Sequence, residues 1–271
     1  MNGKAIYQPP GAAGEYAKYA CNFYIGCSNQ CEYCYCNRFK WGNVPKLKAC
    51  FKNSPECALQ TFEKELEANL PELQKYGLFF SFSTDPMIAN ATIYLTGRAV
   101  ACCVHNAIPV KILTKRADWL DYHSYFTDFY CLESEKILVK KYVAFGFTLT
   151  GHDEKEPHAS TNAERIEAMR KLHEAGFKTW ASIEPVIDFE SSLNMILATK
   201  DFCDLYKIGL QSGKKYDKDD LLDFVDDVIA KCSLRPTSKI YFKDSLLKQA
   251  GIERESLPAN CVSREYNMFN S

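Results

Sequence analysis

Two rhythms of apolar residues alternate along this chain. Short apolar runs recur, and between them lie stretches with apolar residues on one face at helical spacing. Tyr16 to Ile25 predicts a first strand, and Leu78-Phe79-Phe80-Ser81-Phe82 a second. Val110 to Leu113, Tyr142 to Leu149, Lys178 to Ile183 and Leu205 to Leu210 predict four more, with Lys239 to Phe242 as one further candidate. Phe62, Leu66, Leu70 and Leu73 share one face of a helix that Gly77 stops. Residues 91–107, 117–129 and 190–200 read as helices, while Leu132 to Lys141 is charged and ambiguous. Thr161-Asn162-Ala163-Glu164 is a capping box, and Gly176 sits where its helix should end. Asp217, Asp219 and Asp220 suit the start of a helix whose apolar face carries Leu221, Val225, Val228 and Cys232.

Strand followed by helix, repeated about six times, predicts an α/β fold with a parallel sheet wrapped by helices. Six such units make a partial (β/α)6 barrel, related to the eight-fold barrel whose sites lie at the C-terminal ends of the strands. Residues 1–16, with Pro9-Pro10-Gly11, read as an N-terminal arm, 17–243 as the barrel and 244–271 as a C-terminal tail. Every predicted strand ends in polar groups. These are the loop from Cys27 to Cys34, then Ser83-Thr84-Asp85-Pro86, Thr114-Lys115-Arg116, Thr148 with Thr150 and His152-Asp153, Glu184-Pro185, and Gln211-Ser212-Gly213. Each alone is an ordinary turn; together on one rim they describe a site.

The most specific of these is Cys27-Ser28-Asn29-Gln30-Cys31-Glu32-Tyr33-Cys34. Thiolates are soft ligands suited to zinc or to iron–sulfur clusters. Zinc prefers four closed ligands, and Cys36, two residues beyond Cys34, reaches awkwardly around one metal. Three close thiolates instead suit a [4Fe-4S] cluster with one iron open to a small molecule, as radical chemistry on S-adenosylmethionine (SAM) requires. A zinc or thiolate binding module without catalysis is the competing reading, and a plain barrel enzyme with incidental cysteines a third.

Composition narrows the setting. The chain holds 13 cysteines, opens with Met1-Asn2-Gly3-Lys4 and carries no apolar leader, so a secreted disulfide framework is not expected and a reducing cytoplasm is. No run approaches the roughly 18 apolar residues of a membrane span. A net charge of −1 gives no global field favouring nucleic acid, although Arg38, Lys40, Lys46, Lys48 and Lys52 cluster after the cysteines. That loop and the tail around Cys261 and Tyr266 are candidates for shaping a substrate pocket. Cys21, Cys36, Cys50 and Cys57 match no tight binding loop, so buried thiols are a simpler reading for them than a second cluster.

Cys27-x3-Cys31-x2-Cys34, with Tyr33 before the last cysteine, resembles the radical SAM superfamily. Gly26-Cys27 through Cys34-Tyr35 is similar to its spore photoproduct lyase-like branch, and the resemblance extends over roughly residues 20–215. It implies reductive cleavage of SAM at the cluster to a 5′-deoxyadenosyl radical that takes a hydrogen atom from a substrate. It implies ligation by Cys27, Cys31 and Cys34. SAM contacts would come from Thr84 and Asp85 at the amino group, Lys115 with Arg165 behind it at the carboxylate, Thr148 and Thr150 at the ribose, and Tyr33 at the adenine, with Glu184 on the same rim. An electron donor such as flavodoxin or ferredoxin is implied as well. The branch's lyase uses a cysteine just before its Ser-Asp pair; here Phe82 and Ser83 stand there, so DNA photoproduct repair is the alternative rather than the leading reading. Nucleic acid, nucleotides, peptides and small metabolites all remain open as substrate.

Overall fold

The computed structural model describes residues 3–39, 41–122, 133–233, 235 and 237–270. The strands are β1 (Ile6–Tyr7), β2 (Ala20–Cys21), β3 (Tyr24–Ile25), β4 (Lys46–Leu47), β5 (Leu78–Phe80), β6 (Val110–Thr114), β7 (Val143–Thr148), β8 (Lys178–Val186), β9 (Leu205–Leu210) and β10 (Lys239–Phe242). Among the described residues, eight of them form one sheet in the order β1-β2-β5-β6-β7-β8-β9-β10. From β2 to β10 every pairing is parallel, and only β1 runs antiparallel at the edge. The ends of the sheet are not paired with each other, so the barrel is partial. It holds one parallel strand more than the six-unit expectation, because Lys239–Phe242 joins it.

All described helices but the last lie between strands in chain order, and the last follows β10. They are α1 (Pro55–Glu67), α2 (Leu70–Tyr76), α3 (Asn90–His105), α4 (Trp119–Tyr122), α5 (Glu133–Tyr142), α6 (Asn162–Glu174), α7 (Phe189–Thr199), α8 (Lys218–Cys232) and α9 (Asp244–Ala250). Their starts follow local chemistry. Ser54 caps α1, accepting from Cys57 N at 3.1 Å ahead of Pro55. The Thr161 box opens α6, with Glu164 N on Thr161 Oγ1 at 3.2 Å and Thr161 N on Glu164 Oε2 at 2.7 Å. Of the helix expected over 117–129 only α4 is described, since 123–132 lie outside the described residues; the ambiguous stretch before β7 is helical as α5.

Three expectations need correction. The first strand does not run from Tyr16 to Ile25. It stops at Cys21, because Asn22 turns its amide to other partners: Oδ1 accepts from Phe82 N at 2.8 Å and Nδ2 donates to Tyr7 Oη at 2.5 Å. The chain leaves the sheet there, and β3 pairs antiparallel with β4 instead. The N-terminal arm is not separate, since β1 pairs with β2 and Tyr16 is buried. The tail is not separate either: α9 packs its Leu246 and Ala250 into the core, Val262 N donates to Ile240 O at 2.7 Å, and Met268 is buried.

Period-two alternation divides the buried residues into two layers. Leu78, Phe80, Val143, Phe145, Tyr206 and Phe242 face the helices. Phe79, Ala144, Trp180, Leu205 and Tyr241 point into the barrel, where Tyr16 and Met268 join them. Trp180 fills the interior only because its neighbour on β7 is Gly146; a Cβ there would lie 2.1 Å from the indole. The segment before β2 threads this interior. Lys207 donates to Glu15 O at 2.6 Å, Lys111 to Tyr16 O at 2.7 Å, and Tyr241 Oη to Glu15 Oε2 at 3.0 Å. Burial holds the Lys207 ammonium well below the usual lysine range, and the charges of Lys111 and Lys243 add to the effect.

Candidate active site

The C-terminal rim of the sheet carries a cavity of about 470 Å³. Cys27, Cys31, Cys34, Thr84, Asp85, Lys115 and Thr148 all line it, so one wall gathers residues predicted from four strand ends. The three thiols are free. They share the cavity without converging as ligands of one small ion would, and among the described residues no three His, Cys, Asp or Glu side chains form such a set. Three thiols at one cavity are a donor set that an iron–sulfur cluster could use.

The loop that presents the thiols is held by backbone bonds. Cys34 N donates to Cys31 O at 3.1 Å, and Glu32 N reaches Lys155 O at 2.9 Å. Asn37 Nδ2 donates to Cys31 O at 2.9 Å. The loop starts at Gly26, where φ is +81° and a Cβ would lie 2.6 Å from Val44 O. Only glycine satisfies both demands. Residues after the cysteines cover the cavity, with Phe39 and Trp41 stacked at 4.5 Å. Burial pushes the Cys27 thiol up to about 11, with Asp85 adding to it. Burial also raises Cys31, opposed by Lys115. Cys34 is drawn down to about 6, because the Cys36 thiol hydrogen-bonds to it.

Asp85 organises the wall. Its Oδ1 accepts from Thr114 Oγ1 at 2.6 Å and Met87 N at 3.0 Å. Its Oδ2 accepts from Lys115 N at 2.7 Å and Asn29 Nδ2 at 3.0 Å. These four donors occupy the acceptor capacity of a carboxylate. Thr84 is buried and donates to Gly26 O at 2.7 Å, and Ser83 Oγ donates to Tyr24 O at 2.6 Å. The second strand end is thereby fastened to the cysteine loop. The amide oxygen that remains open is Asn29 Oδ1, buried without a partner within the described structure. Lys115 forms no ion pair among the described residues; its Nζ stands 5.6 Å over the Tyr33 ring. Burial works against its charge, but Cys31 and Glu156 outweigh burial and raise its pKa.

The other predicted residues stand outside the cavity wall. Tyr33 Oη donates to Glu156, whose other oxygen pairs with Arg165. Arg165 is 0 % exposed and also donates to Thr148 O at 2.6 Å. Arg165 therefore ties the aromatic of the motif to the end of β7. Thr150 is buried and accepts from His152 N at 3.2 Å. Glu184 faces a different part of the interior, accepting from Tyr16 Oη at 2.5 Å and from Lys243 Nζ at 2.8 Å. Sequence reasoning missed Asn29, Glu156 and Asn22.

No protein-family model matches the chain. It is 27% identical to an uncharacterized protein of Methanocaldococcus jannaschii over 203 residues, covering 70% of this chain and 69% of that one. Among solved structures, it is similar to a spore photoproduct lyase variant with bound AdoMet and dinucleoside spore photoproduct. That match has a TM-score of 0.53 and 14% identity, covering 82% of this chain and 62% of the lyase. It is similar also to SuiB of Streptococcus suis bound to S-adenosylmethionine, with a TM-score of 0.55 and 13% identity, covering 85% of this chain and 51% of SuiB. The chain thus spans between half and two thirds of the enzymes whose fold it shares. No helix among the described residues is long and apolar enough to cross a membrane. The chain thus shares the partial-barrel fold of these two S-adenosylmethionine-bound structures.

Proposed function

We propose that the chain is a radical SAM enzyme, cleaving SAM reductively at a [4Fe-4S] cluster and passing the radical to a substrate by hydrogen-atom abstraction. The observation that carries this reading is one cavity at the barrel rim, lined by three free thiols and a lysine with no ion pair among the described residues. Cys27, Cys31 and Cys34 would hold the cluster, which when bound supplies the electron for the cleavage. Lys115 would take the carboxylate of SAM, a charge-assisted contact. Asn29 Oδ1 is a free acceptor for the amino group, with Thr84 in the same wall; Asp85, its lone pairs already taken, aims Asn29 and the Lys115 backbone. Thr148 is within the wall for the ribose. The reading also requires an electron donor of the flavodoxin or ferredoxin kind.

The test is anaerobic. The protein is reconstituted with iron and sulfide, reduced, given SAM and assayed for 5′-deoxyadenosine, beside Cys27→Ala, Cys31→Ala, Cys34→Ala and Lys115→Met. About four iron and four sulfide per chain, lost in the cysteine variants and kept in Lys115→Met with weakened SAM binding, is the expected result. Uptake of zinc with no cluster would establish the binding-module reading instead. DNA photoproduct repair is the second reading, favoured by the likeness to the lyase. Phe82 speaks against it: it packs on Phe79 at 4.5 Å in the place where a thiol would be needed. Adding a dinucleoside photoproduct to the same assay separates the two.

A further inference from the structure

A second cavity, of about 500 Å³, opens at the opposite end of the barrel and shares no residue with the first. Gly77, Pro109 and Lys111 place it at the entry of β5 and β6. Lys18, Lys75, Lys111 and Arg264 contribute four cations to its wall, and Glu265 one acid. Lys18 is paired with Glu72 at 3.0 Å. Lys75, Lys111 and Arg264 form no ion pair among the described residues. Lys18 and Lys75 both approach the Tyr76 ring, at 3.5 Å and 5.0 Å from its centroid. Lys111 spends one N–H on Tyr16 O at 2.7 Å, and Arg264 Nε reaches Gly14 O at 3.2 Å.

Like charges gathered around a concave wall attract an anion. The rest of the wall says what kind. Tyr76, Tyr266 and Phe269 offer aromatic surface beside the cations, the combination that binds a flat ring by stacking and its charge by hydrogen bonds. The volume is that of a small-molecule site. Burial draws the Lys111 ammonium down to about 8, so an anion beside it would restore a charge that the empty fold disfavours.

We propose that this foot cavity binds an organic phosphate carrying an aromatic ring, the chemistry of a nucleotide, at a site separate from the thiol cavity. The two elements of that chemistry are tested apart. The 271-residue chain is titrated with GMP, guanosine and inorganic phosphate by calorimetry, with saturating SAM present so that the upper cavity is not the acceptor. GMP should bind more tightly than either half-ligand. Lys111→Met should weaken GMP about tenfold or more, the scale of one charged hydrogen bond. Arg264→Gln, an exposed change, should weaken it severalfold. Absence of GMP binding would overturn the proposal. So would phosphate binding as tightly as GMP, or GMP affinity indifferent to both Lys111→Met and Arg264→Gln.

Discussion

The buried pair between Arg165 and Glu156 allows the sharpest stability prediction. Both side chains are fully buried, and Arg165 also donates to Thr148 O at 2.6 Å and to Thr161 O at 3.3 Å. Arg165→Met keeps most of the side-chain length and removes the charge. Glu156 is then left buried, with the Tyr33 hydroxyl as its remaining side-chain donor. Breaking a buried pair from one side costs about 3–5 kcal/mol. The lost bond to Thr148 O adds about 1 kcal/mol, for a total near 4–6 kcal/mol. Urea unfolding of the metal-free protein under reducing conditions, followed by far-ultraviolet circular dichroism, measures it. The double variant Arg165→Met/Glu156→Leu leaves no unpaired buried charge, the half-exposed Asp153 that also meets Arg165 at 3.6 Å keeping its water, so it should lose less than the sum of its singles, recovering most of the charge cost. A single-variant loss under about 1 kcal/mol, or strict additivity in the double, would refute the reasoning.

Three further outcomes follow from the same geometry. Gly26→Ala forces a Cβ into Val44 O at φ +81°, a strain of about 1–2 kcal/mol before the clash is counted; iron and sulfide bound per chain should fall, and full retention would count against the role given to this loop. In the metal-free protein Cys34, near 6, should be alkylated by iodoacetamide at neutral pH well before Cys27, near 11, and Cys36→Ala should slow Cys34 by removing the hydrogen bond that lowers it; peptide mapping reads both. For His152, burial opposes the charged ring, but Glu154 at 2.7 Å and Asp188 outweigh it and raise its pKa above the usual 6.5. The stabilisation is complete below about pH 6.5 and is lost as pH rises through the folded value, so hydrogen exchange of residues 150–156 should quicken on that alkaline side in wild type and show no such step in His152→Gln.

What could be read from the sequence was local. The cysteine loop is one contiguous string, and Thr84-Asp85, Lys115 and Thr148 were found because each closes an apolar run. The misses are residues whose partners lie far along the chain. Tyr33 meets Glu156 across 123 positions, and no window of sequence contains both. One signal was readable: Arg165 stands on the same helix face as Ala168, Met169 and Leu172, all buried, and a cation on an apolar face demands a buried carboxylate. The first strand was overextended because β-propensity runs through Asn22, whereas its amide is worth more holding Phe82 N and Tyr7. Glu184 was read as following a strand that ends at Ile183, but β8 runs on to Val186 and holds Glu184 within it, facing another part of the interior, so closeness to a strand end does not by itself decide which wall a side chain joins.

That division of the interior follows from one residue. Tyr16 lies in the apolar layer with Phe79 at 5.7 Å and Trp180 at 6.1 Å between ring centroids. Its hydroxyl meets Ser182 at 2.6 Å and Glu184, while its carbonyl takes the ammonium of Lys111. It also packs edge-on against Phe82, which lines the thiol cavity, and itself lines the foot cavity. A parallel barrel this open would otherwise be a channel from one rim to the other. The segment before β2 closes it, Tyr16 packing on Phe79, Phe82 and Trp180, and the buried Lys207 and Lys243 and the half-buried Lys111 are satisfied by the backbone of that segment and by Glu184. Tyr16→Phe keeps the ring and the carbonyl and removes only the hydroxyl. It should therefore leave the foot cavity as it is and loosen only Glu184 and Ser182, whereas any substitution that removes the ring opens one cavity into the other.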